Sequence, residues 1–189
     1  MTGDHVLDMF RQAGALLEGH FRLTSGLHSP GYLQCALVLQ SPEAAGALGA
    51  AIADRVRVLG ASVVLSPAIG GIVIGHEVGR GLGTRALFAE RQDGALQLRR
   101  GFTLNSGDRV LVVEDVVTTA GSTRETIEVA RNAGAEVVGA ASIINRGGSD
   151  PGLGVPYLAL ATLSLPTYQP ESCPLCLAGI PAVKPGSRT

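Results

Sequence analysis

The stretch VLVVEDVVTTAGS, residues 110–122, constrains the fold more than any other part of this chain. Val110 to Val113 are four aliphatic residues in a row. That run is too short for a helix and apolar on both faces, as expected of a parallel strand covered by helices on either side. The strand ends in Glu114 and Asp115, at the carboxyl edge where open α/β sheets bind their ligands. A turn of small and hydroxyl residues then leads into a helix expected over 122–133. Ile127, Ala130 and Ala133 share one face of it, and Gly134 is its stop signal.

The chemistry follows from that order. A small-residue loop before a helix aims unpaired backbone N–H groups at one point, with the positive end of the helix dipole behind them, and so suits a phosphate. An acidic pair next to such a loop would repel phosphate. It is better suited to accept hydrogen bonds from sugar hydroxyls or to hold a divalent cation. Together the two features describe a site for ribose 5-phosphate.

This stretch resembles the phosphoribosyl pyrophosphate (PRPP) signature of type I phosphoribosyltransferases, in which a hydrophobic strand, an acidic pair, two aliphatics and a Thr/Ser/Gly-rich loop follow one another. Glu114 is the permitted variant of the first acid. The resemblance implies that Glu114, Asp115, Val116, Val117, Thr118, Thr119, Ala120, Gly121 and Ser122 contact PRPP, with Glu114 and Asp115 catalytic. The bland alternative is a capped strand followed by an ordinary turn.

Composition narrows the remaining classes. A chain of 189 residues, 46% hydrophobic, suits one well-buried domain. Twenty-six glycines with few aromatics suit an α/β fold with close backbone approaches. A formal charge of -1 gives no general attraction to nucleic acid. No apolar run is long enough to cross a bilayer, and residues 1–15 carry Asp4, His5, Asp8 and Arg11 in place of a signal-peptide core, so a cytoplasmic protein is expected. Three cysteines argue against a disulfide framework, and Cys35 reads as a small core residue.

An amphipathic helix is expected over 4–17, from Val6, Leu7, Phe10, Ala13 and Leu17 at helical spacing. Residues 18–32 mix glycines, hydroxyls and aromatics and read as a short strand and tight turn. Their FxLxSGxxSxxY pattern resembles the N-terminal motif of orotate phosphoribosyltransferases, where turn and aromatic form a hood over the pyrimidine. By that resemblance Ser25 and Gly26 approach the base and Tyr32 lies near its face. Thr24 stands where many relatives carry Lys.

Ser41, Pro42 and Glu43 mark the start of a helix over 42–59. A buried strand at 63–65 then delivers Ser66-Pro67-Ala68-Ile69-Gly70-Gly71 to a helix over 72–81, a second anion site by the same dipole argument. The resemblance implies that Ala68, Ile69, Gly70 and Gly71 carry pyrophosphate, with a cis peptide at Ala68-Ile69. Gly70 replaces a lysine common in relatives.

A strand over 84–89 and a second run over 96–102 flank Asp93-Gly94, a hairpin turn. Relatives place a Lys- and His-rich mobile loop here. This chain offers Arg91, Arg99 and Arg100, which resembles the shorter variant of a Thermus-like branch. Arg91 is the leading candidate for a catalytic pyrophosphate contact, with Arg99 and Arg100 next. Arg99 and Arg100 could equally be a solvated strand edge.

A buried strand at 137–144 ends at Arg146, on the ligand edge of the sheet. The resemblance makes Arg146 the partner of the orotate carboxylate and Thr118 its neighbour at the base. A last strand is expected over 157–163. The Pro-rich tail carries Cys173 and Cys176 as one CxxC. Tetrahedral zinc needs four ligands, and spacing alone does not say whether His5, His20, His28, His76 or a second subunit would supply two more. Two reduced cysteines in a docked tail are expected.

The fold class is therefore α/β, a type I phosphoribosyltransferase fold with a central parallel sheet flanked by helices and an N-terminal hood. One domain spans 1–189, with the hood from 1–40 and a tail over 164–189. The resemblance implies an orotate phosphoribosyltransferase using PRPP, orotate and Mg2+, with no direct protein metal site, acting as a homodimer without nucleic-acid or membrane partners. The alternatives are transfer to another nucleobase and a PRPP-binding regulator without catalysis.

Overall fold

The computed structural model describes residues 1–23 and 25–185. In chain order, α1 (Gly3–Gln12) leads into a hairpin of β1 (Leu16–Arg22) and β2 (His28–Leu33), which stands apart as a two-stranded antiparallel sheet. A short turn, α2 (Ala36–Leu39), precedes α3 (Pro42–Val56), β3 (Val63–Pro67) and α4 (Gly71–Leu82). Then follow β4 (Arg85–Gln92), β5 (Ala95–Leu98), β6 (Arg109–Val117), α5 (Gly121–Asn132), β7 (Glu136–Asn145), β8 (Tyr157–Thr162) and a final turn, α6 (Pro174–Leu177). The main sheet has six strands in the order β5-β4-β3-β6-β7-β8, with β6 near its centre.

Side-chain alternation along β6 divides the core. Leu111 and Val113 join Leu48, Ile52, Ile74 and Val78 of α3 and α4 on one face. Val110 and Val112 join Ile127 and Ala130 of α5 on the other. Glycines set how closely α4 lies on the sheet: a Cβ at Gly75 would meet the Ser66 side chain at 2.0 Å, and one at Gly79 would meet Ala86 at 2.9 Å. The start of α3 is held as expected, with Pro42 in the first turn and Ser41 Oγ accepting from the Ala44 amide at 3.3 Å.

Three expectations change. The first helix ends at Gln12, because Gly14 adopts φ 63 and redirects the chain, so Leu16 and Leu17 begin β1. The main sheet is not wholly parallel, since β5 folds back antiparallel on β4 through Asp93-Gly94. The second arm of that hairpin is also shorter than 96–102. Arg100 and Gly101 both take positive φ and end the extended backbone.

Candidate functional site

The two acids at the end of β6 face opposite sides of the sheet. Asp115 continues the face of Leu111 and Val113 and opens into a cleft beneath the hairpin. Its Oδ1 accepts from the Val116 amide at 2.9 Å, and the Cys35 side chain lies near the same carboxylate. Burial raises the Asp115 carboxyl above its ordinary value, and hydrogen bonds to it oppose the rise. Glu114 continues the face of Val110 and Val112, where it accepts a short hydrogen bond from Thr123 of α5. Desolvation first, countered by Thr123 and reinforced by Asp115, pushes Glu114 up to about 7.

Thr118 to Ala120 form the turn from β6 into α5, whose first residues are Gly121 and Ser122. Ala120 caps the helix at φ 60, a left-handed conformation that is uncommon for a residue with a side chain and recurs at functional turns. It makes no side-chain cap, and the first turn carries no acid. The leading amides of α5 have no acceptor within the helix and point out of its positive end. Arg124 fixes the turn from behind by donating to the Thr119 carbonyl at 2.7 Å.

The second glycine loop lies across the cleft floor. The Ala68-Ile69 peptide is cis, the Ala68 amide donates to the Ala89 carbonyl at 2.8 Å, and Ile69 is strongly exposed. Gly70 precedes α4 and sits directly against Asp115.

Between this floor and the hairpin lies a cleft of about 750 Å³, lined among others by Gly26, Tyr32, Gly70, Asp115 and Lys184. The turn carrying Ser25 and Gly26 is closed by Leu23 N to Leu27 O at 2.8 Å, and Ser25 is exposed beside it. The Tyr32 hydroxyl is raised by burial and by Asp115. Arg146 is half-buried below the hairpin: its backbone amide donates to Val117 O at 2.8 Å, and its guanidinium donates to Ser29 Oγ at 3.0 Å. The Arg146 Nε is buried without a partner among the described residues. The following loop packs on the phosphate turn, since a Cβ at Gly147 would stand 2.8 Å from Thr118 O.

The hairpin arginines stand outside the cleft lining. Arg91 pairs with Glu125 of α5 at 3.0 Å, which places it beside the phosphate turn. Arg100 pairs with Glu90 at 2.6 Å and lies 5.9 Å from the Phe88 ring centre. Arg99 is exposed.

Residue reading alone missed two participants. Cys35 is the core residue expected of it, and it also lies near Asp115. Lys184 is the only lysine in the chain, and the tail brings it to the cleft. Its uniqueness was the available signal, since a lone lysine among fourteen arginines breaks an otherwise uniform usage. Thr24 and the last four residues of the tail, 186–189, lie outside the described residues.

Residues 38–151 match the phosphoribosyl transferase domain family. Over its full length the chain is 53% identical to an orotate phosphoribosyltransferase of Pelotomaculum thermopropionicum, covering 99% of that protein. It is 54% identical to one of Rhizorhabdus wittichii, covering 97% of that protein. Among solved structures, the orotate phosphoribosyltransferase of Aeropyrum pernix aligns with a TM-score of 0.70 at 25% identity, over 84% of this chain and 93% of that one. With the acid-tipped strand, the amide turn and the hooded cleft in one place, the chain belongs to the orotate phosphoribosyltransferase family of phosphoribosyl transferase domain enzymes.

Proposed function

We propose that the chain transfers the 5-phosphoribosyl group of PRPP to orotate, giving orotidine 5'-monophosphate and pyrophosphate, the step that makes the first nucleotide of de novo pyrimidine synthesis. The observation that carries this reading is the position of Asp115, a partly buried carboxylate that lines a cleft under a hairpin and stands three residues before the amide turn.

Displacement at the anomeric carbon develops positive charge on the sugar. Asp115 accepts from the ribose hydroxyls and places negative charge nearby, and Glu114 does the same after turning from Thr123 or through a water. Residues 118–122 hold the 5'-phosphate through backbone amides. Arg146 takes the orotate carboxylate through the donor it has left over, and Tyr32 with Gly26 closes over the ring. Orotate enters as an anion, so no strong general base is required.

Ala68 to Gly71, Arg91 and Lys184 receive the departing pyrophosphate, and Arg99 and Arg100 add positive charge at the rim. Bound Mg2+ would supply charge compensation at the leaving group, and the hard carboxylate oxygens of Asp115 would suit its shell. The assembly is proposed to be a homodimer working in the cytoplasm. In the described residues no helix is long and apolar enough to cross a membrane.

The test is orotate consumption with PRPP and Mg2+, run beside adenine and uracil. Asp115→Asn is expected to lower kcat/KM on the order of 10²-fold at an unchanged melting temperature. Full activity in Asp115→Asn, or a preference for another base, overturns the assignment.

A further inference from the structure

Outside the cleft, the hairpin and the tail meet at a cluster of four potential ligands: His20, His28, Cys173 and Cys176. Their ligand atoms all lie within 4.8 Å of one another. Cys173 Sγ stands 3.5 Å from His20 Nε2, and Cys176 Sγ stands 3.8 Å from His20 Nε2 and 3.3 Å from His28 Nδ1. Bond lengths of about 2.0 Å to nitrogen and 2.3 Å to sulfur put the edges of a tetrahedral zinc site at roughly 3.3–3.8 Å. These three nitrogen–sulfur distances match. The two ring nitrogens, 2.8 Å apart, need only open by about half an ångström to reach the same range.

The orientation of His20 points the same way. His20 Nδ1 lies 2.6 Å from the carbonyl of Ile180, which can only accept, so Nδ1 donates there and Nε2 is the nitrogen turned toward the cluster. Nε2 faces three neighbours at once, His28 Nδ1, Cys173 Sγ and Cys176 Sγ. A cation at the centre would engage all four atoms, and a backbone carbonyl behind a ligating histidine is the usual support for such a site.

Beyond Cys173 the described part of the tail has little apolar anchorage. Cys173 is fully buried, but beyond it Leu177, Ile180 and Val183 are 80%, 46% and 59% exposed. Apolar burial therefore does little to fix a segment that nonetheless makes two specific backbone bonds, Val183 N to His20 O at 2.8 Å and Arg22 N to Val183 O at 2.9 Å.

We propose that His20, His28, Cys173 and Cys176 bind one Zn2+ that staples the C-terminal tail to the hairpin. Two borderline nitrogens and two soft sulfurs form a closed set of four that selects zinc and leaves no position for substrate. On binding, both cysteines lose their thiol protons to solvent. The site is structural: its anchored segment leads through Val183 to Lys184, and so fixes the lysine at the cleft rim. The zinc claim itself does not depend on which base is the substrate.

The test uses the untagged full-length chain, purified reduced and without chelator. Elemental analysis is expected to find about one zinc per chain. Exchange with Co2+ is expected to give the visible bands of a tetrahedral thiolate site. Cys176→Ser, changed at the solvent edge of the cluster, is expected to hold about tenfold less zinc or lower still, while His76→Ala, outside the cluster, keeps it all. A chelator should lower the melting temperature of the parent chain and leave that of Cys176→Ser unmoved. Failure of the reduced parent to take up added Zn2+, a Cys173–Cys176 disulfide in the purified chain, or undiminished zinc in both Cys176→Ser and Cys173→Ala overturns the proposal.

Discussion

A methyl group on Gly70 would stand 2.7 Å from Oδ2 and 2.9 Å from Oδ1 of Asp115. The glycine loop therefore rests directly on the acid, and its missing side chain leaves the carboxylate room. Gly70 has ordinary helical dihedrals, φ -56 and ψ -41, so alanine fits its backbone and only the contact changes. Gly70→Ala is expected to displace Asp115 and lower kcat/KM on the order of 10²-fold, with little change in melting temperature. Steady-state kinetics beside a thermal melt would check this.

Glu114 ties stability to pH. Burial is the main cause of its rise to about 7. A carboxyl raised in the folded state binds more protons there than in the unfolded chain, so stability falls as pH climbs from about 4.5 through 7. The loss approaches about 3 kcal/mol above that window. Glu114→Gln should be more stable than the parent at pH 8, with the gap closing below about pH 5, as read from denaturant midpoints.

Cys35 acts on Asp115. Its thiol lowers the Asp115 carboxyl against the effect of burial, so Cys35→Ala should raise it further and move the acid limb of kcat/KM toward higher pH. Cys35→Ser retains a donor and should restore the profile. An unchanged profile in Cys35→Ala would remove the thiol from this role.

Arg146→Ala should raise the KM for orotate by roughly 10 to 100-fold, the range for losing a hydrogen bond to a charged group, with a smaller effect on PRPP. Arg146→Lys should rescue little, because an ammonium cannot reproduce the planar fork. Separate titrations of the two substrates distinguish these outcomes.

Lys184→Met should weaken PRPP more than orotate, by roughly tenfold in kcat/KM. Because no other lysine exists, PRPP should also slow amine-directed labelling at this one side chain, with the α-amino group as internal control. Peptide mass spectrometry reads both sites.

The local physics of the phosphate turn was legible because all of it lies within 110–122: apolar strand, acids, small residues and helix start follow one another. The strand-to-Arg146 relation was legible for a similar reason, since the end of a parallel strand fixes the edge on which a residue emerges. What escaped the sequence depends on contacts between distant segments. Helical spacing at Leu17 was fortuitous, and the turn at Gly14 overrode it. That Glu114 and Asp115 face opposite layers follows from alternation, but assigning a layer to each face requires the positions of α4 and α5. Cys35 and Lys184 reach the cleft from 80 residues before and 69 residues after Asp115, beyond any local pattern. His20, His28 and the CxxC are likewise joined only by the folded tail.

The tail's return to the hairpin has a consequence for biosynthesis. One wall of the cleft is made near the start of the chain and another by its last segment, with the sheet translated between them. The sheet and the phosphate turn lie wholly before residue 163, so both can form before residues 173–184 return to the hairpin. The pocket is finished only when Val183 pairs with the hairpin and Lys184 reaches the cleft, so a chain whose tail has not yet docked carries the catalytic floor without the finished pocket.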